Sequence, residues 1–203
     1  MKNKVAYSVL REYLKKSVPK KYVRSLFIAG SAKEELPPGS DVDTFFVAYK
    51  ETLNEFLNDL TSKLKSFVKR NPSFMYTYFR GPIKFENKIL IHCVIYTNGK
   101  GPGKIEDFQN EPPQVFEGIL KKYDVILGDN PIKIKPEMDL GKKPHKEREE
   151  YMKRKANEFW NRNSVTYREW KKTKDKWAFE IKTIKLSPWQ KEHLEKYFRD
   201  YKP

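Results

Sequence analysis

Cysteine is almost absent: Cys93 is the single one in 203 residues. That excludes an intramolecular disulfide and suits a reducing, cytoplasmic compartment. No apolar run approaches the roughly 18 to 20 residues that a membrane-spanning helix needs, so a soluble chain with no membrane partner is expected. The start, "MKNKVAYSVLREYLKK", is charged and amphipathic and lacks the greasy centre of a secretory signal. Internal repeats and low-complexity tracts are missing as well. Negative charge is in short supply: 27 Asp and Glu face 42 Lys and Arg, leaving +15. Polyanions such as RNA, DNA or nucleotide phosphates are the natural partners of such a chain, although a lysine-rich surface also serves solubility alone.

The length suits one domain with a substantial appendage. Residues 4 to 16 place Val5, Val9, Leu10, Tyr13 and Leu14 on one helical face, and Pro19 ends the run. "YVRSLFIAG" and "SDVDTFFVAY" read as strands. "ETLNEFLNDLTSKLKSFVKR" reads as a helix that buries Leu53, Phe56, Leu57, Leu60, Leu64 and Phe67 and stops at Asn71-Pro72. "SFMYTYF" and "KILIHCVIYT" are strand-like by their aromatic and β-branched content. After the Gly101-Pro102-Gly103 break, "PPQVFEGILKKY" is expected to be helical and "DVILG" a short closing strand. The expectation is an α/β (α+β) domain over residues 1–140, a mixed β-sheet flanked by helices.

Composition changes after Gly141. Residues 141–203 carry 19 Lys or Arg against 10 Asp or Glu and hold all four tryptophans, Trp160, Trp170, Trp177 and Trp189. This segment is expected to be a basic helical extension. Thr166-x-x-Glu169 and Ser187-Pro188-Trp189-Gln190 both fit capping boxes. Tyr167, Trp170, Trp177, Ile181 and Ile184 would line one helical face.

The most informative stretch is "LFIAGSAKEELPPGSDVDTFFV", two apolar runs joined by a polar loop that closes on Asp41 and Asp43. Side chains alternate along a strand, so the two aspartates point the same way and Val42 the other. Neighbouring carboxylates repel, and a hard divalent cation such as Mg²⁺ between them relieves the repulsion. Gly30 and Ser31 offer a phosphate free N–H groups, a backbone without an obstructing side chain, and a hydroxyl. The competing reading is a polar hairpin loop with solvated turn aspartates.

The ordered set of apolar strand, Gly-Ser, eight residues, Ser-Asp-x-Asp and apolar strand resembles the signature of the nucleotidyltransferase superfamily that includes DNA polymerase beta. By that resemblance Gly30 and Ser31 hold the triphosphate of a nucleoside triphosphate, Ser40 supports the turn, and Asp41 and Asp43 bind Mg²⁺ or Mn²⁺. "AGSAKEELPPGSDVDTFFVAY" and "YFRGPIKFENKILIHCVIY" are similar to the catalytic region of archaeal CCA-adding enzymes, which are much longer chains. The likeness covers residues 1 to about 100 and implies a nucleotidyltransferase fold. The third acidic residue of the family aligns with Leu90, a departure that bears on catalysis, since this group normally helps to bind a second metal. Some branches of the superfamily work with the aspartate pair alone. His92, on the same strand face as Leu90, and Glu86 are the nearest substitutes, although a lone histidine in an apolar strand is more often a hydrogen-bonded core residue.

The resemblance implies transfer of a nucleoside monophosphate to a hydroxyl acceptor, with RNA, such as a tRNA end, favoured by the charge. A protein acceptor, as in minimal nucleotidyltransferases of toxin–antitoxin systems, stays open, as does a degenerate member that binds nucleic acid or nucleotide without turnover. In "REWKKTKDKWAFEIKTIK" tryptophans interleave with lysines, so Arg162, Arg168, Lys171, Lys172, Lys174 and Lys176 are the candidates for gripping a nucleic-acid strand. The same tryptophans at helical spacing would equally pack a helix onto its own domain.

Overall fold

The structure is a computed structural model that describes residues 5–29, 35–80, 83–85, 87–97, 123–129, 145–160 and 164–199. Its element order begins with β1 (Val5–Ala6), α1 (Tyr7–Ser17), β2 (Val23–Ala29), β3 (Glu35–Leu36), β4 (Asp41–Ala48) and α2 (Leu53–Arg70). There follow β5 (Phe74–Thr77), β6 (Phe79–Arg80), β7 (Ile89–Tyr96), β8 (Tyr123–Gly128), α3 (His145–Trp160), β9 (Ser164–Thr173), β10 (Lys176–Lys185) and α4 (Pro188–Phe198). The helix expected at 112–123 lies outside the described residues except for Tyr123, which opens β8, and Gly30, Ser31, Glu86 and Arg162 lie outside them as well.

A mixed five-stranded sheet in the order β5-β7-β4-β2-β8 forms the centre. β4 and β5 run parallel to β7, whereas β2 is antiparallel to both β4 and β8. One face receives the helices. Leu10 and Leu14 of α1 and Phe56, Leu57, Leu60, Leu64 and Phe67 of α2 pack there against Leu26, Ile28, Val42, Phe46, Ile89 and Ile91. Their spacing of three, four and seven residues is what a helix needs to bury one stripe. α2 stops at Asn71, whose side-chain amide caps the Phe67 carbonyl at 3.0 Å, and Pro72 cannot continue the helix.

Phe27, Phe45, Val47 and Val94 on the opposite face are also buried, with the Phe27 and Phe45 rings stacked at 4.8 Å. A sheet buried on both faces needs continuous apolar strands, which explains why "LFIA" and "TFFVA" do not alternate.

The extension departs from expectation. α3 and α4 are helices, and the second capping box is formed: the Gln190 N–H donates to Ser187 Oγ and the Ser187 N–H to Gln190 Oε1 at 3.0 Å. Residues 164–185, expected to be helical, are instead the antiparallel hairpin β9–β10, joined by the turn Lys174-Asp175 with Lys174 at φ +52°. Thr166-x-x-Glu169 therefore caps no helix. Tyr167 and Ile184 fall on the opposite hairpin face from Trp170, Trp177 and Ile181, so the anticipated helical stripe does not exist. The physical reason is that Val, Thr, Ile and aromatic residues favour a pleated strand, and here β9 finds a partner in β6 that an isolated helix would lack.

"SFMYTYF" likewise serves two sheets. β5 borders the central sheet, Tyr78 is buried, and β6 pairs with β9 to complete a three-stranded sheet in the order β10-β9-β6. The hairpin docks onto α2. Asn54 accepts from the Trp177 backbone N–H at 3.1 Å and donates to the Asp175 carbonyl at 3.3 Å, and Asn58 accepts from Trp177 Nε1 at 3.1 Å and from Lys172 at 2.8 Å. Trp177 also meets Tyr78 edge-on at 5.4 Å. No helix among the described residues is long and apolar enough to cross a membrane.

Candidate functional site

The turn before β4 is built to deliver Asp41. Gly39 sits at φ +88°, where a side chain would be strained. Ser40 closes the turn by donating its hydroxyl to the Pro37 carbonyl at 2.6 Å. The loop is tied to β7 by the Gly39 N–H on the Lys88 carbonyl at 2.7 Å and the Leu90 N–H on the Ser40 carbonyl at 2.9 Å.

Parallel pairing then sets Asp41 beside Leu90 and Asp43 beside His92. Val42 points into the helix-covered core at 2% exposure, so the two aspartates occupy the other face, as strand alternation requires. Asp41 is exposed. Asp43 and His92 are largely sheltered and hydrogen-bonded, with His92 Nδ1 3.0 Å from Asp43 Oδ1.

Nδ1 is the ring nitrogen that faces the Asp43 carboxylate, which leaves Nε2 as the second polar atom of the ring. Nε2 is buried and has no hydrogen-bond partner among the described residues. Orientation by a carboxylate through one ring nitrogen is shared with metal-ligating and proton-transferring histidines, although here the second nitrogen is buried. Leu90, at the position where the resemblance would put a third carboxylate, is 5% exposed and offers no donor.

Among the described residues no group of three His, Cys, Asp or Glu side chains is close enough to enclose a metal. What the strand offers is a pair of carboxylates, with His92 bracing the second of them rather than completing a three-ligand cluster. That suits a hard cation which keeps waters and substrate phosphates in its shell, because Mg²⁺ is commonly held by only one or two carboxylates.

Other titratable groups in this region are structural. The Cys93 side chain enters the core from the face opposite His92, and burial pushes its thiol well above its ordinary value, so it is not a nucleophile. Tyr7 is raised by burial and then by Asp124, with which it shares a 3.2 Å hydrogen bond while Arg11 pairs with the same carboxylate at 2.7 Å. That cluster ties α1 to the edge strand β8.

Of the candidates for nucleic-acid contact, Lys171, Lys172, Lys174 and Lys176 are exposed at the hairpin tip, and Arg168 holds a position in β9 opposite Ile181. Sequence reading missed Asn54 and Asn58. Their signal was one helical turn of spacing on the polar side of α2, which identifies no partner until the hairpin is in place. Comparison with protein-family models, with curated proteins and with solved structures finds no match in any of the three.

Proposed function

We propose that the chain is a nucleotidyltransferase that moves a nucleoside monophosphate from a nucleoside triphosphate to an acceptor hydroxyl on RNA. The observation that carries this reading is the aspartate pair on one face of β4, delivered by a tight Ser40 turn and braced by His92. Gly30-Ser31, directly after β2, would supply N–H groups and a hydroxyl to the triphosphate.

In the reaction the acceptor oxygen forms a bond to the α-phosphorus, the bond from that phosphorus to the bridging oxygen breaks, and pyrophosphate departs. The acceptor proton passes to solvent or a nearby base. Mg²⁺ or Mn²⁺ held by Asp41 and Asp43 would supply charge neutralisation at the phosphates. The chain's own part is positioning. His92 fixes one oxygen of Asp43 and leaves the other free, and the rigid parallel pair β4–β7 keeps both aspartates in register.

One observation favours a second reading. Leu90 is a buried leucine beside Asp41, so this position supplies no third carboxylate for the second metal that would activate the acceptor. A binding protein that keeps the architecture without turnover would look the same there.

The test uses α-phosphate-labelled nucleoside triphosphates, each tried with Mg²⁺ and with Mn²⁺, offered total RNA and protein as acceptors. Label on RNA that disappears in the Asp41→Asn/Asp43→Asn chain is the expected result. Label on protein alone would move the acceptor class. Absence of label in every condition, with RNA binding retained by both chains, would replace the transferase with the binding protein.

A further inference from the structure

The register of the hairpin sheet separates its charges by face. Antiparallel pairing puts Phe179 opposite Trp170, Ile181 opposite Arg168, and Arg80 of β6 beside Arg168. Residues directly opposed share a face, so Trp170 and Lys172 of β9 belong with Trp177, Phe179 and Ile181 of β10; Lys172 and Trp177 are the end of that face that meets α2. No position on this face, from Ser164 to Lys172 and from Trp177 to Lys185, holds an Asp or Glu. The other face carries Glu169 and Glu180, both ion-paired with Lys182, at 2.5 and 3.4 Å. A solvated hairpin would be expected to mix signs on both faces.

The acid-free face is also the one that exposes apolar surface. Phe179 is 47% and Ile181 63% exposed, and the Phe179 ring leans on Trp170 at 5.2 Å. Alternating polar and apolar residues normally turn the apolar set inward, and here two large side chains of that set face solvent. An exposed ring with no competing carboxylate on its face, in a chain of net charge +15, suits unstacked bases on a phosphodiester backbone.

The hairpin sheet is also joined to the central sheet. Thr77 pairs beside His92, and β6 begins two residues later at Phe79. Three residues of extended chain reach about 10 Å at most, so the hairpin sheet begins close to the strand that carries His92.

We infer that the Trp170–Phe179–Ile181 face of the hairpin sheet binds single-stranded RNA and leads it toward Asp41 and Asp43. This deepens the transferase reading by giving its acceptor a path, and it rests on that reading only for the direction of the strand.

The test is fluorescence anisotropy of a labelled single-stranded oligouridylate with the full chain, without nucleotide, beside a duplex of equal length. Phe179→Ala is expected to weaken single-strand binding about tenfold, the scale of one stacked base. Ile181→Ala should weaken it less, and Lys191→Ala, exposed on α4, least of all. Both apolar positions are substantially exposed, so the variants keep the fold, which circular dichroism checks. Unchanged affinity in Phe179→Ala, an equal loss in Lys191→Ala, or tighter binding of the duplex would each overturn the inference. Aspartate-dependent transfer that persists in Phe179→Ala with unchanged RNA affinity would sink the docking face and leave the transferase. Face-dependent binding without transfer would do the reverse.

Discussion

In the central sheet Phe27, Phe45 and Phe46 are fully buried, whereas in the hairpin sheet Phe179 is 47% and Ile181 63% exposed. The two sheets draw on the same residue types. The difference lies in what each face meets: helices α1 and α2 cover one side of the central strands, while the outer part of the hairpin's acid-free face meets solvent. An aromatic residue in a strand thus supports the fold in one region and is free for contact in the other. The central strands carry few charged residues, Arg24, Asp41, Asp43 and Asp124, whereas the hairpin carries many and sorts its acids by face.

The sharpest way to break this contrast is to truncate matched aromatics. Phe46→Ala is expected to cost about 3 to 5 kcal/mol in urea unfolding, because it leaves a cavity at a fully buried site. Phe179→Ala should stay within about 1 kcal/mol of the parent, since much of its ring is already in water. Similar losses for both would mean that the hairpin face is covered in solution.

At the polar pair the effect is on activity rather than folding. Asp41→Asn/Asp43→Asn is expected to lower nucleotide transfer at least about a hundredfold, given the several kcal/mol that metal neutralisation contributes. Its unfolding midpoint should hardly move, because Asp41 is exposed and an amide oxygen in place of the Asp43 carboxylate can still accept from His92.

The joint between the two regions is tested by Asn58→Ala. It leaves Trp177 Nε1 and Lys172 without their acceptor and should cost about 1 to 3 kcal/mol, read as faster proteolysis of the hairpin. Intact protection would place the joint in the Trp177–Tyr78 ring contact instead.

The smallest effect is alkaline. Burial raises the Cys93 thiol in the fold, while the unfolded chain ionises near the ordinary 9.0. The stabilisation is complete below that pH. Above it the unfolded state loses its proton first, so stability falls by about 1.4 kcal/mol per pH unit. Tyr7 and Tyr78, also raised by burial, add the same sign above 10.0. Urea midpoints on either side of pH 9.0 should converge in Cys93→Ala relative to the parent. An identical slope in both chains would assign the loss to other groups.

Local pattern was a good guide wherever one periodicity stood alone. The stripe of α2, the Leu10, Tyr13 and Leu14 part of the α1 stripe, the continuous apolar runs of β2, β4 and β7, the closing strand β8 and the Ser187 capping box were readable, as was the turn that delivers Asp41. Val5, expected on the α1 stripe, pairs with Leu36 as part of β1 instead, and Val9 is 40% exposed. Residues 164–185 were misread because aromatics at positions 167, 170 and 177 fit a helical stripe as well as two strands. Periodicity cannot separate those cases when the deciding term is a partner strand distant in sequence. The division of "SFMYTYF" between two sheets failed for the same reason.

The chain's own order of residues was sufficient for the class of the central domain, the two aspartates on one strand face, and the surplus of positive charge. Those follow from strand alternation, helical spacing and composition, which act within a few residues. Strand pairing over long separations was needed to set His92 against Asp43, to turn a supposed helix into a hairpin on α2, and to gather Trp170, Phe179 and Ile181 with cationic positions on an acid-free face. Such pairings depend on which backbone hydrogen bonds are satisfied by which neighbour, a property of the whole chain that no local window contains.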